Sequence, residues 1–545
     1  MLAALFIIAF VFFLWVFKFY GGFLSRAFDL NNSRRTPAES LYDGIDYCPT
    51  HPAVLVGHHF SSIAGAGPIV GPITAAAWFG WFPAYIWCVL GSAFFGGSHD
   101  MGALVASVRH GGKSMGEVIR RWIGERGRFL FLSFTIITLF LIVAVFLQLA
   151  ANTMADDQAV AFAAVVYMAA AFVFGLMVYR FNLSLKFSTL LMLPVVFGSC
   201  WLAHAVPAIG DAFKLDVATW RWILVGYIVV ASLLPVWLLL QPRDYLASYF
   251  LYFAVIIGGI GMIFGSRFEI VLPAFKGVSV AADGAEQFMW PLLFITVACG
   301  AVSGFHSMVG SGTSSKQLRY EKDSLVVGYG AMLMEGLVAV MAIGTIMISG
   351  EIATGGPVIT YAQGFSKFGT LVGIDPVIGT SLGALAINSF ILTTLDTATR
   401  LTRYKIQEFS GGKIDRFTAT TIAVTGALAL LLIESDGRPT WEVIWPVFGA
   451  ANQLVAALAF LGIAVWVCKG LKRKITFLMI PMWFMLITTL AALGFLIRDQ
   501  FAGGNPNWVI VIICLILVML GVFMLREALV ALKPQMSISS HSVAK

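Results

Sequence analysis

Seven ionisable side chains fall inside long apolar stretches of the chain: His58, His59, His99, Asp100, His306, Glu335 and Asp396. A charge at membrane depth is expensive, so such residues are kept where they pair, carry protons or line a substrate path. An imidazole beside a carboxylate changes charge near neutral pH, which makes the adjacent His99 and Asp100 a candidate proton acceptor. Counting about 1.5 Å per residue from the turn in "WFGWFP" brings His59 to a similar depth. The competing assignment is a buried hydrogen-bonded network that only fixes helix packing. Glu335 is open to the same choice, because a helix cap or a neighbouring helix would also satisfy it.

A second group is polar without being charged. "HHFSSIAGAGPIVGP" (58–72) sets Ser61, Ser62, Gly65, Gly67, Pro68 and Pro72 in a stretch long enough to span a membrane. Glycine and proline interrupt helices, and the backbone groups they free are costly in hydrocarbon unless protein, ions or water fill the gap. Freed carbonyls suit a cation, and the N-terminus of the following half-helix suits an anion. The stretch has an echo: "FSSIAGAG" (60–67) aligns with "FHSMVGSG" (305–312), with Phe60/Phe305, Ser62/Ser307, Gly65/Gly310 and Gly67/Gly312 identical. The expectation is two interrupted helices, 52–79 and 288–313, running in opposite directions and unwound at 65–67 and 310–312. His58, His59, Ser61, Ser62, Gly65 and Gly67 of the first, with His306, Ser307, Gly310, Ser311 and Gly312 of the second, would hold a carboxylate-bearing solute. Close packing through small residues explains the glycines as well, but not the histidines and prolines beside them.

A third cluster, "NSFILTTLDTATR" (388–400), gathers Asn388, Thr393, Thr394, Asp396 and Thr397. Oxygens at i, i+3 and i+4 share a helix face, and oxygen-only sets suit hard cations. With His99, Asp100 and Glu335 these are the candidates for ion or proton coupling. The equal alternative is helix-end chemistry, with Asp396 paired to Arg400 and the threonines bonded to their own backbone.

These residues need helices to hold them, and the composition supplies little else. Of 545 residues, 59% are hydrophobic and 12% charged, with a mean hydropathy of +0.88. A soluble domain carries about 25% charged residues. Apolar runs of spanning length recur at 2–17, 52–79, 82–108, 129–150, 158–179, 187–206, 222–240, 245–265, 288–310, 325–350, 377–398, 418–433, 443–467, 475–497 and 508–525. That predicts an all-α polytopic membrane protein of about 15 transmembrane helices, one integral domain over 1–545, with a C-terminal helical part at about 376–526. If the N-terminus lies outside, 28 of the 35 Lys and Arg fall on the cytoplasmic side together with the C-terminus. Basic residues are then markers of topology, and nucleic-acid binding has no support. The six cysteines are scattered without CxxC spacing and there is no HExxH, so no metal centre or other cofactor is expected.

Three of the quoted segments carry a resemblance. "HHFSSIAGAGPIVGP", "GAVSGFHSMVGSGTSSKQ" and "NSFILTTLDTATRLTRY" resemble the signature segments of the carbon starvation protein A family of bacterial inner-membrane transporters. The resemblance implies ion-driven uptake of peptides or of small carboxylates such as pyruvate, a carbon-starvation response, and kinship with the amino acid–polyamine–organocation superfamily. It implies an inverted-repeat core with two discontinuous helices, to which the further helices are peripheral. In that superfamily the helix matching 377–398 faces the first broken helix across a sodium site, which is the ground for a cation contact at Thr393, Thr394 and Thr397. The expected function is therefore a symporter coupled to H+ or Na+, not an enzyme. A histidine-rich membrane metalloprotein or enzyme, and a channel, are the rivals.

Overall fold

Helix starts follow from proline and short acceptors. Pro52 opens one helix with the His51 side chain accepting from the Ala53 amide, and Pro376 opens another capped by the Asp375 carboxylate on the amides of Val377 and Ile378. Proline costs nothing at the first helical positions, where the N–H has no partner in any case. The computed structural model describes residues 1–44, 46–235, 237–282, 285–431, 440–502 and 506–539.

The helices of eight residues or more begin with α1 (Leu2–Ala27), α2 (Pro52–Ile63) and α3 (Gly67–Phe79). Then come α4 (Trp81–Leu90) and α5 (Gly97–Arg109), joined by a π-helical turn, and the short α6 (Met115–Trp122). Next are α7 (Glu125–Asp156), α8 (Gln158–Gly175), α9 (Leu185–Ala205), α10 (Val217–Leu233) and α11 (Leu240–Phe264). A small antiparallel hairpin, β1 (Ser279–Ala282) and β2 (Ala285–Phe288), pairs Ser279 with Phe288 and leads into α12 (Met289–Val297) and α13 (Gly304–Gly312). The remainder is α14 (Ala331–Ser349), α15 (Pro357–Gly369), α16 (Pro376–Phe409), α17 (Arg416–Leu431), α18 (Thr440–Trp466), α19 (Thr476–Ala502) and α20 (Trp508–Ser539).

Among the described residues, 11 helical runs are long and apolar enough to cross a membrane, or up to 12 with the bent pair α2–α3. The expected runs at 82–108, 222–240 and 418–433 correspond to α4–α5, to α10, which ends at Leu233, and to α17, described to Leu431; all three fall outside that set, α10 having 17 residues and α17 having 16. The helix α15 had no counterpart among the expected spans. Its "TYAQGFSKFG" is too polar to read as a span, yet it packs along α16. Residues of the runs Met289–Lys316 and Glu321–Ser349 are 94% and 89% buried over their most apolar windows, against 28% for α1 and for α9. The run holding the second interruption and the continuous α14 therefore sit at the centre, and α1 and α9 at the margin.

The first interruption lies where the sequence places it. Ala64 leaves the helix at φ −76°, ψ 67°, α3 restarts at Gly67–Pro68, and the two halves meet at 47°. The second does not. Residues 310–312 are helical, and the break runs from Ala298, at φ +35°, to Ser303. Gly312 instead permits close approach, since an added Cβ would stand 2.9 Å from Leu401, whereas one on Gly310 would meet His59 at an ordinary contact distance of 3.9 Å. The echo of 60–67 in 305–312 thus does not register one break on the other. What opens the second break is a distant cap. Asn452 of α18 accepts the Phe305 amide at 2.9 Å and donates to the Ser303 hydroxyl at 2.9 Å, holding the orphan N-terminus of α13.

The two breaks lie against each other. A Cβ on Gly67 would fall 2.6 Å from Cys299, and one on Gly300 3.2 Å from Pro72. Gly71 lies closer still, with a Cβ 2.3 Å from the Thr296 carbonyl oxygen, so the pair α3–α12 runs antiparallel with no room for a side chain. Gly71→Ala is expected to destabilise the protein by about 1–3 kcal/mol through overpacking against backbone. Gly198→Ala, where nothing lies within 4 Å, should be neutral or stabilising. Thermal unfolding of both variants in detergent measures the difference.

Candidate functional site

Two clusters of buried charge flank α2. In the first, α5 brings His99 and Asp100 against α13 and α14. The Asp100 carboxylate spans two imidazoles, with His99 Nδ1 at 2.8 Å from Oδ1 and His306 Nδ1 at 2.8 Å from Oδ2. The other nitrogen of His306 faces Glu335 at 3.3 Å. All four side chains are fully buried. The His99 ring rests edge-on against Phe460 of α18, 5.1 Å between centroids. His99, Asp100 and His306 bond in a row, and Glu335 stands at ion-pair distance from its end with neither carboxylate oxygen hydrogen-bonded.

The second cluster centres on a residue that the sequence reading assigned to a cytoplasmic loop. Arg243 lies within α11, fully buried, donating to the Asp244 carboxylate at 2.5 Å and contacting the Asp396 carboxylate of α16 directly. It also reaches the Thr393 carbonyl oxygen at 3.3 Å. Tyr227 of α10 donates to Asp396 at 2.7 Å, and His58 of α2 closes the set with Nδ1 3.1 Å from Asp244. Asp396 therefore does not pair with Arg400. The guanidinium of Arg400 turns to the carbonyls of Ala231 and Leu234, and that of Arg403 to Ser232. These are the open carbonyls at the C-terminus of α10, where a cation is favoured. The loop assignment failed because "QPRDYL" has the look of a polar connection. An adjacent Arg and Asp between apolar runs was the available sign of a buried pair.

His59 stands between the clusters without joining either by a hydrogen bond. Its Nδ1 is 2.7 Å from the Ser314 hydroxyl, and it lies within electrostatic reach of Asp100, His306 and His58. His59 does not bond the His99–Asp100 pair, whose other carboxylate oxygen is taken by His306. Several expected ligands are spent on backbone. Ser61 and Ser62 donate to the His58 carbonyl, Ser307 to Gly304, Ser311 to Ser307 and Thr393 to Ser389. Thr394 is not: its buried hydroxyl has no hydrogen-bond partner, and it stands 2.6 Å from where a Cβ on Gly65 would be. Asn388 is likewise buried with neither amide atom bonded. The expected meeting of α16 with the first break is thus present, through Thr394 and Gly65.

A cavity of about 40 Å³ opens beside the second cluster, lined by Asp46, His58, Ser62, Asp244, Thr397 and Arg400 among others. That is room for about two waters. Lys316 and Asp46, 3.9 Å apart, stand at its rim. Across that rim residues 48–50 bond to the 316–318 segment, the Cys48 amide to the Lys316 carbonyl at 3.2 Å and the Thr50 amide to Gln317 at 2.9 Å.

A polytopic helical membrane protein, organised around two interrupted helices and two buried ion-pair clusters, is the class this geometry defines. The chain belongs to the family described as Carbon starvation protein CstA, which matches residues 1–353 and 347–492. It is 33% identical to the peptide transporter CstA of Bacillus subtilis (strain 168), over 90% of this chain and 89% of that protein. It is 31% identical to the pyruvate/proton symporter BtsT of Escherichia coli (strain K12), over 88% of this chain and 79% of that one. Among solved structures, a mutant of the Eremococcus coleocola manganese transporter aligns over 88% of this chain and 94% of its own at 14% identity, with a TM-score of 0.46. A superposition that loose carries nothing further.

Removing one member of a buried ion pair strands the others, at about 3–5 kcal/mol. Arg243→Met leaves Asp396 without a cation and Asp244 with His58 alone, whereas Arg243→Met combined with Asp244→Asn and Asp396→Asn leaves no carboxylate in the cluster. The single variant is expected to be the less stable of the two. Comparing their unfolding temperatures in detergent checks this, and a triple variant less stable than the single would contradict it.

Proposed function

We propose that this chain is a secondary active transporter that carries a small carboxylate-bearing solute, a peptide or pyruvate, into the cell unchanged and coupled to protons. It works in the bacterial inner membrane with its N-terminus outside and its C-terminus in the cytoplasm. The observation that carries the reading is the makeup of the first cluster. Asp100 and Glu335 are two buried carboxylates whose partners among the described residues include no Arg or Lys, only His99 and His306. Buried charge must be compensated, and here only protons on the imidazoles or carboxyls can do so. Loading and release of a proton therefore changes the net charge of the core.

The solute is placed at the first break. There α3 begins, and the N-terminus of a helix favours an anion. Thr394 offers an unspent hydroxyl beside Gly65, and His58 supplies a positive charge when protonated. The names of the relatives, a peptide transporter and a pyruvate/proton symporter, support both candidate solutes and the coupling ion. The cavity leaves no space for a peptide, so this shape is read as a closed one that must open on one side. Sodium is the second reading, and Thr394 is the observation that favours it, since an unpartnered hydroxyl oxygen accepts a cation as readily as it donates to a carboxylate.

Proteoliposomes with purified protein test the proposal, using pyruvate and short peptides under separate pH and sodium gradients. Uphill uptake driven by acid outside is expected, and uptake driven by sodium alone would replace protons in the scheme. Glu335→Gln should abolish accumulation while leaving exchange of solute across the membrane. Gly65→Leu, by filling the break against Thr394 and Phe146, should eliminate both. A Glu335→Gln protein that still concentrates solute would remove the first cluster from coupling.

A further inference from the structure

We propose that the wedge between the last turns of α1 and the start of α19 is a binding site for an anionic phospholipid. It is a cavity of about 830 Å³, and its lining includes Phe23, Arg26, Arg473, Lys474, Phe477 and Ile480 and none of the ion-pair residues. The polar and apolar parts of the lining are segregated along one axis. Arg26 ends α1, and Arg473 and Lys474 precede α19, so three cations gather at the end of the wedge where both helices reach the surface. Phe23 and Phe477 meet edge-on at 5.3 Å just inside them. Beyond lies Ile480, 62% exposed on a helix of spanning length.

The three cations are exposed, and among the described residues none has a carboxylate within ion-pair distance. Asp29, the acid within electrostatic reach of Arg473, is already bonded to Arg34 at 2.6 Å. A cluster of positive charge above an apolar slot between two spans is the shape of a phospholipid head and its chains. A zwitterionic head brings its own cation and would leave the site's charge uncompensated. Three unpaired cations call for a head of net negative charge, such as phosphatidylglycerol. A soluble anion would satisfy the basic end and leave Phe23 and Ile480 uncovered.

The test is native mass spectrometry of the full chain in detergent with added phosphatidylglycerol, phosphatidylcholine or inorganic phosphate, paired with thermal unfolding. Phosphatidylglycerol is expected to bind at least tenfold tighter than phosphatidylcholine and to raise the unfolding temperature, with inorganic phosphate doing neither. Attraction of a basic residue to an anionic head is worth roughly a factor of five. The triple variant Arg26→Gln, Arg473→Gln, Lys474→Gln should therefore lose affinity on the order of a hundredfold. A control of equal charge change away from the wedge, Arg180→Gln, Lys186→Gln, Lys413→Gln, should keep it. Equal binding of the two lipids, equal loss in both triples, or stabilisation by phosphate alone would each overturn the assignment. So would a dimeric mass without lipid, which would make a second copy of the chain the occupant.

Discussion

A helix that stops inside a membrane must hand its free amides and carbonyls to something other than lipid. This chain meets that requirement by setting its two interruptions against each other. Gly67, at the restart of α3, faces Cys299 in the second break, and Gly300 faces Pro68 and Pro72. Pro68 has no N–H to satisfy. The amide of Phe305 is taken by Asn452, a side chain from almost 150 residues further along. The breaks can therefore exist only in the assembled bundle: the half-helices α3 and α13 that follow them are buried along most of their length, whereas the continuous α1 and α9 stand at the margin.

The same enclosure dictates the chemistry of the charges. The second cluster sets Arg243 against two aspartates, so one positive charge is permanent, and His58 is the further partner, at Asp244. The first cluster has no permanent cation, and its balance rests on protons alone. One cluster is thus suited to holding helices in place, since α2, α11 and α16 all meet at it. The other is suited to changing charge state without a change of partners. That division follows from residue type, because a guanidinium stays protonated at any physiological pH and an imidazole does not.

The sequence made the helical membrane class, the first break and most spans legible, because each rests on local pattern: long apolar runs, and glycine with proline where neither belongs. It also brought His306 and Glu335 forward as ionisable residues at depth, and these prove to be neighbours. What was not legible depended on distant parts of the chain. The second break was placed at 310–312 instead of 298–303, two helical turns or more too late, because repeated glycines marked it in the sequence, while in the structure Asn452 and the turn at Ala298 create it. Arg243 read as a topological marker because a basic residue beside proline looks like a loop. Only the approach of Asp396 from α16 makes it a core residue. Hydroxyl groups misled in the opposite direction. Ser61, Ser307 and Ser311 are polar, central and already bonded to their own helix, a state that sequence does not distinguish from a free ligand.

The arrangement of α2 and α16 links these parts mechanically. His58 and His59 are successive residues on α2, one bonded to Asp244 and the other held by Ser314 within reach of Asp100 and His306. Five residues on, the same helix ends at the break. On α16, Thr394 meets that break at Gly65, and two residues later Asp396 holds Arg243. A solute that displaces either helix at the break therefore acts on contacts of both charge clusters. Interiors packed this closely respond by switching partners rather than by stretching. By linkage, a proton that altered those contacts would change solute affinity by the factor with which solute changed proton affinity, so the coupling proposed above would need no connection longer than α2 itself.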